Sequence, residues 1–108
     1  MIRLALAAAL TLASAAPALA AGASNFTLVN GTGGGISDVS IRRAGTNEWK
    51  PLGSSGGPVQ FKDPDCAFDI RATVAGAGPV TWAAVNLCDV KSVTLKRDGS
   101  AGPWVDYD

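Results

Sequence analysis

The sequence of 108 residues contains no histidine. Without an imidazole the chain cannot form a Ser-His-Asp or Cys-His catalytic arrangement, and it lacks the commonest general base of enzymes. Zinc sites with histidine ligands are excluded for the same reason. No serine is followed three residues later by lysine, so the Ser-x-x-Lys nucleophile pattern is absent as well. We therefore predict no catalytic residue, no cofactor and no enzymatic activity.

The sequence also lacks an apolar run long enough to cross a membrane, which takes about 20 residues. Its most apolar stretch follows the basic residue Arg3, covers residues 4–12 and leads to Ala-Leu-Ala at 18–20. This order is typical of a signal peptide that ends at a small-x-small cleavage site. We predict a cleaved signal peptide at 1–20 and a single periplasmic or secreted domain at 21–108. A buried N-terminal helix is the alternative interpretation.

Cysteine is scarce, with only Cys66 and Cys88. Two thiolates are too few for an all-cysteine zinc centre, and their spacing is not the Cys-x-x-Cys of thioredoxin-like redox sites. An even pair in a small exported domain usually forms a disulfide, so we predict a bridge between them. Two free buried cysteines are the alternative. Because Cys66 alternates with Phe68 and Ile70, its sulfur is expected to face the core.

An excess of charge of one sign is absent too, since nine Lys/Arg balance nine Asp/Glu. A nucleic-acid-binding protein normally has a basic face, and a helix that lies on membranes carries Lys/Arg along one side. Neither pattern occurs. We therefore expect no nucleic-acid partner and no membrane span in the mature protein.

What the sequence does contain is short alternation of apolar and polar residues between Gly, Pro, Asn and Asp, typical of antiparallel β-structure. The predicted strands are 26–30, 36–43, 48–52, 59–62, 66–74, 80–87, 92–97 and 104–107. Spacing of about 8–12 residues favours a small Ig-like β-sandwich of seven or eight strands. Pro51 places its segment at an edge. In 66–74 the alternation directs Asp69 to solvent, and the tail after Asp98 is either an edge strand or loose.

A run of glycines, Gly31 and residues 33–35, follows the first predicted strand. A phosphate-binding loop would need a helix after it, together with a Gly-Lys-Ser/Thr or G-x-G-x-x-G pattern. Here β-branched alternation follows at Ile36 and no lysine is near. Asn30-Gly31 between apolar runs instead predicts a tight turn of the hairpin kind.

Trp49, Trp82 and Trp104 are candidates for a sugar-stacking or partner-binding face, and burial in the core is the alternative for each. Trp49 lies beside Pro51 on a predicted edge, so we expect it to be the most exposed. Trp82 is expected to lie inside, near the disulfide, as in other sandwiches. The candidate binding residues are therefore Trp49 and Trp104.

Four acidic residues lie close to the cysteines in sequence. They are Asp63, Asp65, Asp69 and Asp89. Calcium prefers several carboxylates within reach of one another, but the EF-hand spacing is absent. Solvated turn residues are the preferred interpretation, no metal site is predicted, and a calcium site remains the open alternative.

Residues 53–62, GSSGGPVQFK, superficially match the G-S-S-x-M-P-x-K-x-N signature of the argininosuccinate lyase and fumarase superfamily. Gly57 replaces its methionine, Gln60 its lysine and Lys62 its asparagine. That superfamily consists of large helical tetramers, which a short β-patterned chain does not resemble. A lyase site is therefore not predicted here.

Four stretches in order carry a different resemblance: FTLVNGTGGGISDVSI, EWKPLG, CAFDI and VNLCDVKSVTL, within residues 26–95. They are similar to the motifs of small exported bacterial β-sandwich proteins of uncharacterised function, some of which carry the argininosuccinate lyase name without its residues. The resemblance implies an exported β-domain and supplies no catalytic residues.

These observations favour a non-enzymatic binding or structural protein. A carbohydrate- or envelope-binding module that uses exposed tryptophan is the first alternative, with an envelope glycan or a protein as partner. An enzyme is the second.

Overall fold

The computed structural model describes residues 22–53, 55–100 and 102–108, and the signal peptide predicted at 1–20 lies outside these ranges. All regular secondary structure within these ranges is β-strand, which confirms the predicted all-β class. The described residues include no helix that is long and apolar enough to span a bilayer. The strands are β1 (Phe26–Gly31), β2 (Ile36–Arg43), β3 (Lys50–Pro51), β4 (Gly57–Val59), β5 (Ala67–Val74), β6 (Gly78–Asn86), β7 (Ser92–Asp98) and β8 (Gly102–Tyr107).

The strands form two four-stranded sheets that enclose one core, as predicted for a small β-sandwich. Sheet 1 has the order β4-β1-β7-β8, and sheet 2 has the order β3-β2-β5-β6. Neighbouring strands are antiparallel except β1 and β7, which run parallel with Leu28 beside Val93. The strands of sheet 2 lie between residues 36 and 86, and sheet 1 combines β1 and β4 with the last two strands, β7 and β8.

Alternating side chains of both sheets fill the core. β2 contributes Val39 and Ile41, and β5 contributes every second residue from Phe68 to Val74. The buried apolar residues are Ala23, Phe26, Leu28, Val39, Ile41, Val59, Phe68, Ile70, Ala72, Val74, Trp82, Val85, Leu87, Cys88, Val93 and Leu95. Because the apolar positions of the sequence follow a period of two, their burial confirms the predicted alternation.

Trp82 on β6 is buried, as one of the interpretations held, and its indole N–H donates to the backbone carbonyl of Lys96 on β7 at 2.8 Å. This bond joins the two sheets, since β6 belongs to sheet 2 and β7 to sheet 1. The disulfide lies beyond the end of β6, so the expectation that Trp82 packs on it is wrong. A bulge at Ala84 inserts one residue into β6 between Trp82 and Cys88. The expectation assumed an unbroken alternation that directs both side chains to the same face.

The glycine segment forms a turn at residues 32–35, but this turn does not connect a hairpin because β1 and β2 belong to different sheets. The Asn30 side chain closes it: Oδ1 accepts the N–H of Thr32 at 3.1 Å, and Nδ2 donates to the carbonyl of Gly34 at 2.7 Å. The hairpin prediction is wrong because Asn and Gly suit many tight turns, and local sequence does not determine which sheet the next strand joins.

The structure moves the strand predicted at 59–62 and decides between the two alternatives for the tail after Asp98. β4 lies at Gly57–Val59 rather than at 59–62, and Phe61 leaves the strand to pack edge-to-face against Phe26 and Phe68, with ring centres 6.0 and 5.2 Å away. The tail after Asp98 is an edge strand, β8, paired with β7.

The predicted disulfide between Cys66 and Cys88 is present, with Cα atoms 5.1 Å apart. Cys88 is buried, whereas Cys66 as a whole residue is exposed and places its sulfur against that of Cys88. Cys66 precedes β5, and at the end of a sheet few neighbours remain to bury a side chain. The bridge joins the ends of β5 and β6 within sheet 2, unlike the inter-sheet bridge of antibody domains.

Candidate functional site

The two candidate binding residues, Trp49 and Trp104, lie on the outer faces of different sheets. Val105 of β8 packs against the core, so alternation directs Trp104 to the outer face of sheet 1. Trp49 precedes β3 and contacts Arg42 and Arg71, which lie on the outer face of sheet 2. The structure does not bring the two tryptophans together, so each is considered as a separate site.

The strand register places six residues, Trp104 among them, in two rows on the outer face of sheet 1. One row runs from Gly31 through Lys96 to Trp104, and the next runs from Val29 through Thr94 to Asp106. We call these six residues the Trp104 face. Trp104 is 42% exposed and Val29 is 39% exposed, and both are among the large apolar residues that the sandwich leaves in contact with solvent.

Gly31 determines how Lys96 lies on this face. A Cβ atom at Gly31 would lie 2.9 Å from Cδ of Lys96 and 2.8 Å from Cγ2 of Thr94. The lysine stem therefore extends over the glycine on β1, on the side away from Trp104. Among the described residues, guanidinium groups lie over the ring of Trp49, and no cation lies over that of Trp104. Trp104 therefore combines an uncovered apolar ring with neighbouring polar side chains, and stacking of a sugar ring needs both.

The outer face of sheet 2 has a different composition. In its register Arg42 pairs with Asp69, and Ser40 and Thr81 flank Arg71 on either side. Thr73 follows Arg71 on the same face of β5. We call the set of Ser40, Arg42, Trp49, Asp69, Arg71, Thr73 and Thr81 the Trp49 face.

Trp49 is half-buried on this face rather than the most exposed tryptophan, so that expectation is wrong. The guanidinium carbon of Arg71 lies 4.1 Å from the centre of the indole ring, and that of Arg42 lies 4.5 Å from it. Cation–π contacts at such sites contribute about 0.5–1 kcal/mol each. The sequence-level expectation failed because the covering arginines come from neighbouring strands, whose register was unknown.

Asp69 is buried and does not face solvent as expected. Its Oδ2 accepts from Nε of Arg42 at 2.8 Å, and its Oδ1 accepts the backbone N–H of Ala84 at 2.9 Å. Burial alone would raise the pKa of Asp69, but the hydrogen bond from Ala84 and the arginine charge outweigh it, so the pKa lies below its usual value. The carboxylate therefore stays ionised and neutralises Arg42.

Arg71 differs from Arg42 in its partners. Arg42 uses Nε for Asp69 and directs Nη1 towards Oδ1 of Asn47 at 3.4 Å. Within the described part of the chain, the guanidinium of Arg71 has no carboxylate partner and lies over the ring of Trp49. Sequence reasoning named neither arginine. Their outward positions on β2 and β5 were visible from the alternation, but their contact with Trp49 required the register.

The acidic residues considered for calcium do not come together. Asp63 and Asp65 both bind Nε of Arg43 at 3.2 Å, whereas Asp69 binds Arg42, whose side chain points to the opposite face of β2. Desolvation acts to raise the pKa of Asp63, but the hydrogen bond from Asp65 N–H and the Arg43 charge lower it overall. Within 22–53, 55–100 and 102–108 no group of three acidic or cysteine side chains is arranged to hold a metal ion.

Beside this second ion pair, a groove of about 280 Å³ runs between β2, β3 and the segment around Phe61. Acidic and basic side chains line it, and Arg43 and Asp63 bind each other there. The charges of Arg43 and Asp63 satisfy each other, whereas Glu48, Lys50 and Lys62 line the groove without an ion pair among the described residues. Comparisons with family models, curated proteins and solved structures gave no match to this chain.

Proposed function

We propose that the protein is an exported β-domain that binds a glycan through the Trp104 face and does not catalyse a reaction. The observation that carries this proposal is the uncovered indole of Trp104, 42% exposed on a sheet face. A sugar ring packs its apolar C–H face on such an indole, while its hydroxyls hydrogen-bond to adjacent polar groups. Lys96, Thr94 and Asp106 supply those groups in the same or the next row.

Export is supported by three observations. The sequence pattern of residues 1–20 is that of a signal peptide, the motif resemblance is to small exported bacterial proteins, and the disulfide fits an oxidising compartment. We propose a periplasmic or secreted single domain that begins at Ala21. Mass spectrometry of the native protein under non-reducing conditions tests this: a mature N-terminus at Ala21 with no free thiol is expected. A retained leader with two free thiols contradicts it.

The absence of catalysis rests on the composition, since no histidine exists to act as a base. The stretch that resembles a lyase signature also has a structural explanation, because its residues 57–59 form β4 and pair with β1. We expect no cleavage of argininosuccinate by the purified protein. Sustained turnover in that assay, retained through repeated purification, contradicts the proposal.

The glycan proposal is tested by screening the mature protein on an array of bacterial envelope and plant cell-wall glycans, then measuring affinity for the best binder. We expect Trp104→Ala to weaken binding at least about tenfold, which is about 1.4 kcal/mol, and Trp104→Phe to weaken it less. Trp49→Ala is the matched control for an uncharged glycan, since it removes the same side chain from the opposite sheet and should leave that affinity unchanged. Loss of binding with Trp49→Ala alone, or no glycan bound, overturns the proposal.

A further inference from the structure

We propose that the Trp49 face is a second binding site, in which the guanidinium of Arg71 holds the carboxylate of an acidic saccharide. This site lies on sheet 2, on the other side of the sandwich from the Trp104 face, so it does not depend on the glycan proposal. Its chemistry also differs, because the indole of Trp49 is covered by cations and is not available for stacking a sugar.

Arg71 is held in place by the ring of Trp49. Its guanidinium carbon lies 4.1 Å from the centre of the Trp49 ring, so the ring restricts the position of the group. A guanidinium has five N–H donors in a planar fork that matches a carboxylate. No hydrogen bond or ion pair among the described residues uses these donors of Arg71, so they are available to a carboxylate. Trp49 is thus a positioning residue, and Arg71 is the residue that contacts the ligand.

The Trp49 face carries a net positive charge. Arg42 is neutralised by Asp69 at 2.8 Å, whereas Arg71 has no ion-pair partner among the described residues. The nearest acidic residue on β2, Asp38, is exposed and makes no ion pair with Arg71. The seven residues of the face therefore carry one uncompensated positive charge, and it is located at Arg71. An anionic group is the complement of this charge.

The hydroxyl side chains around Arg71 favour a saccharide over an acidic peptide as the ligand. The residues that flank Arg71 across the sheet are Ser40 and Thr81, and the next outward residue on β5 is Thr73. Within the described ranges, these hydroxyls make no hydrogen bond to another residue. Hydroxyl groups both donate and accept, which suits the hydroxyls of a sugar ring that carries the carboxylate. A uronic acid presents a carboxylate and hydroxyls on one ring in this way.

The test compares tetragalacturonate with its methyl ester, which has the same shape without the charge. Affinities are measured by calorimetry, and the Nε–H signal of Arg71 and the indole N–H signal of Trp49 are followed by NMR. We expect the acid to bind at least about tenfold more tightly than the ester and to shift both signals. Arg71→Gln should abolish this preference, and Arg71→Lys should retain part of it, since a lysine keeps the charge but not the fork.

Arg97→Gln is the matched control, because it removes the same charge from β7 on sheet 1 and should leave the preference intact. Equal affinity for acid and ester, a preference that survives Arg71→Gln, or no binding of tetragalacturonate overturns the proposal. Polyglutamate bound as tightly as tetragalacturonate overturns the assignment to a saccharide.

Discussion

The carboxylate of Asp69 accepts the backbone N–H of Ala84 at 2.9 Å, at the point where β6 bulges away from β5. Phe68 pairs with Val85 and Ile70 with Trp82, so β6 has an extra residue opposite Asp69. A bulge leaves an N–H without a partner in the ladder, and the Asp69 side chain takes the place of that partner. The same carboxylate holds Arg42 and so stabilises the arrangement of the Trp49 face.

Substitution of Asp69 should destabilise the domain, and more so when both the charge and the hydrogen-bond acceptor are lost. Asp69→Asn keeps an acceptor for the N–H of Ala84 but removes the charge opposite Arg42, whereas Asp69→Ala removes both. An intramolecular hydrogen bond such as that from Ala84 contributes about 0.5–1.5 kcal/mol, so we expect Asp69→Ala to lower the free energy of unfolding by more than Asp69→Asn does. Urea denaturation measures both, with the exposed Asp38→Asn as control. Equal, near-zero effects contradict this account of the bulge.

The acid sensitivity of the domain should depend on Asp69. Burial would raise the pKa of Asp69, but the Ala84 hydrogen bond and Arg42 lower it, so the folded pKa lies below the unfolded one. The stabilisation is therefore present above the unfolded pKa of about 3.9 and is lost as the pH falls through the folded pKa. We expect the stability difference between wild type and Asp69→Asn to be constant above about pH 5 and to shrink at lower pH. Parallel curves between pH 2 and 7 contradict it.

The conformation of Ala84 predicts a stabilising substitution. Ala84 has φ 54°, a left-handed conformation in which an L-residue with a Cβ is strained by about 1–2 kcal/mol. Ala84→Gly should relieve that strain and stabilise the domain by up to about 1 kcal/mol, after the larger chain entropy of glycine is subtracted. Ala83→Gly is the control, because Ala83 has no positive φ and should lose about 0.5–1 kcal/mol. Thermal melts that show the two variants equally destabilised disprove the strain.

Gly31 should not tolerate alanine. The added Cβ would lie 2.8 Å from Cγ2 of Thr94, 2.9 Å from Cδ of Lys96 and 3.1 Å from the backbone oxygen of Leu95. We expect Gly31→Ala to cost about 1–3 kcal/mol and to displace Lys96 towards Trp104, which would weaken glycan binding.

Gly35→Ala is the matched control for this substitution, since nothing lies within 4 Å of its added Cβ and its φ is not positive. Chemical denaturation should show it close to wild type. A Gly31→Ala protein as stable as Gly35→Ala would mean that the Lys96 stem moves without cost.

Reduction of the disulfide should destabilise the domain markedly. The bridge closes a segment of 22 residues at the end of sheet 2, and loss of a native disulfide from a small domain costs about 2–5 kcal/mol. We expect a lower melting temperature in reductant and a similar shift in a Cys66→Ser, Cys88→Ser double variant. Verified reduction with an unchanged melt would leave the bond without a structural role.

The strands could be predicted from sequence wherever one face is apolar and the other polar. Ile36–Arg43 was predicted with its observed bounds, and Ala67–Val74 to within one residue. In both, burial of alternate residues is a strong local signal. The segment 59–62 failed because Phe61, although it continues the alternation, leaves the strand for an aromatic contact with Phe26 and Phe68.

The candidate sites depended on information that local sequence does not contain. Trp49 and Trp104 were found as residues, but their separation onto two sheets follows from the strand order. The partners of Trp49 follow from the register, which places Ser40 beside Arg71 and Arg42 beside Asp69. The burial of Asp69 depends on a bulge in a different strand. Each of these is a long-range pairing, so no window along the chain reveals it.

The parallel pairing of β1 with β7 constrains the order in which the molecule can form. Sheet 2 uses residues 36–86, so its strands can pair while the rest of the chain is still disordered. Sheet 1 cannot close until β7 and β8 are available, because β1 has only three-residue β4 as its other neighbour. Pairings between distant segments are slow to form. A nascent chain that ends before Ser92 would therefore hold sheet 2 with the core side of that sheet open, and β7 and β8 are needed to complete the sandwich.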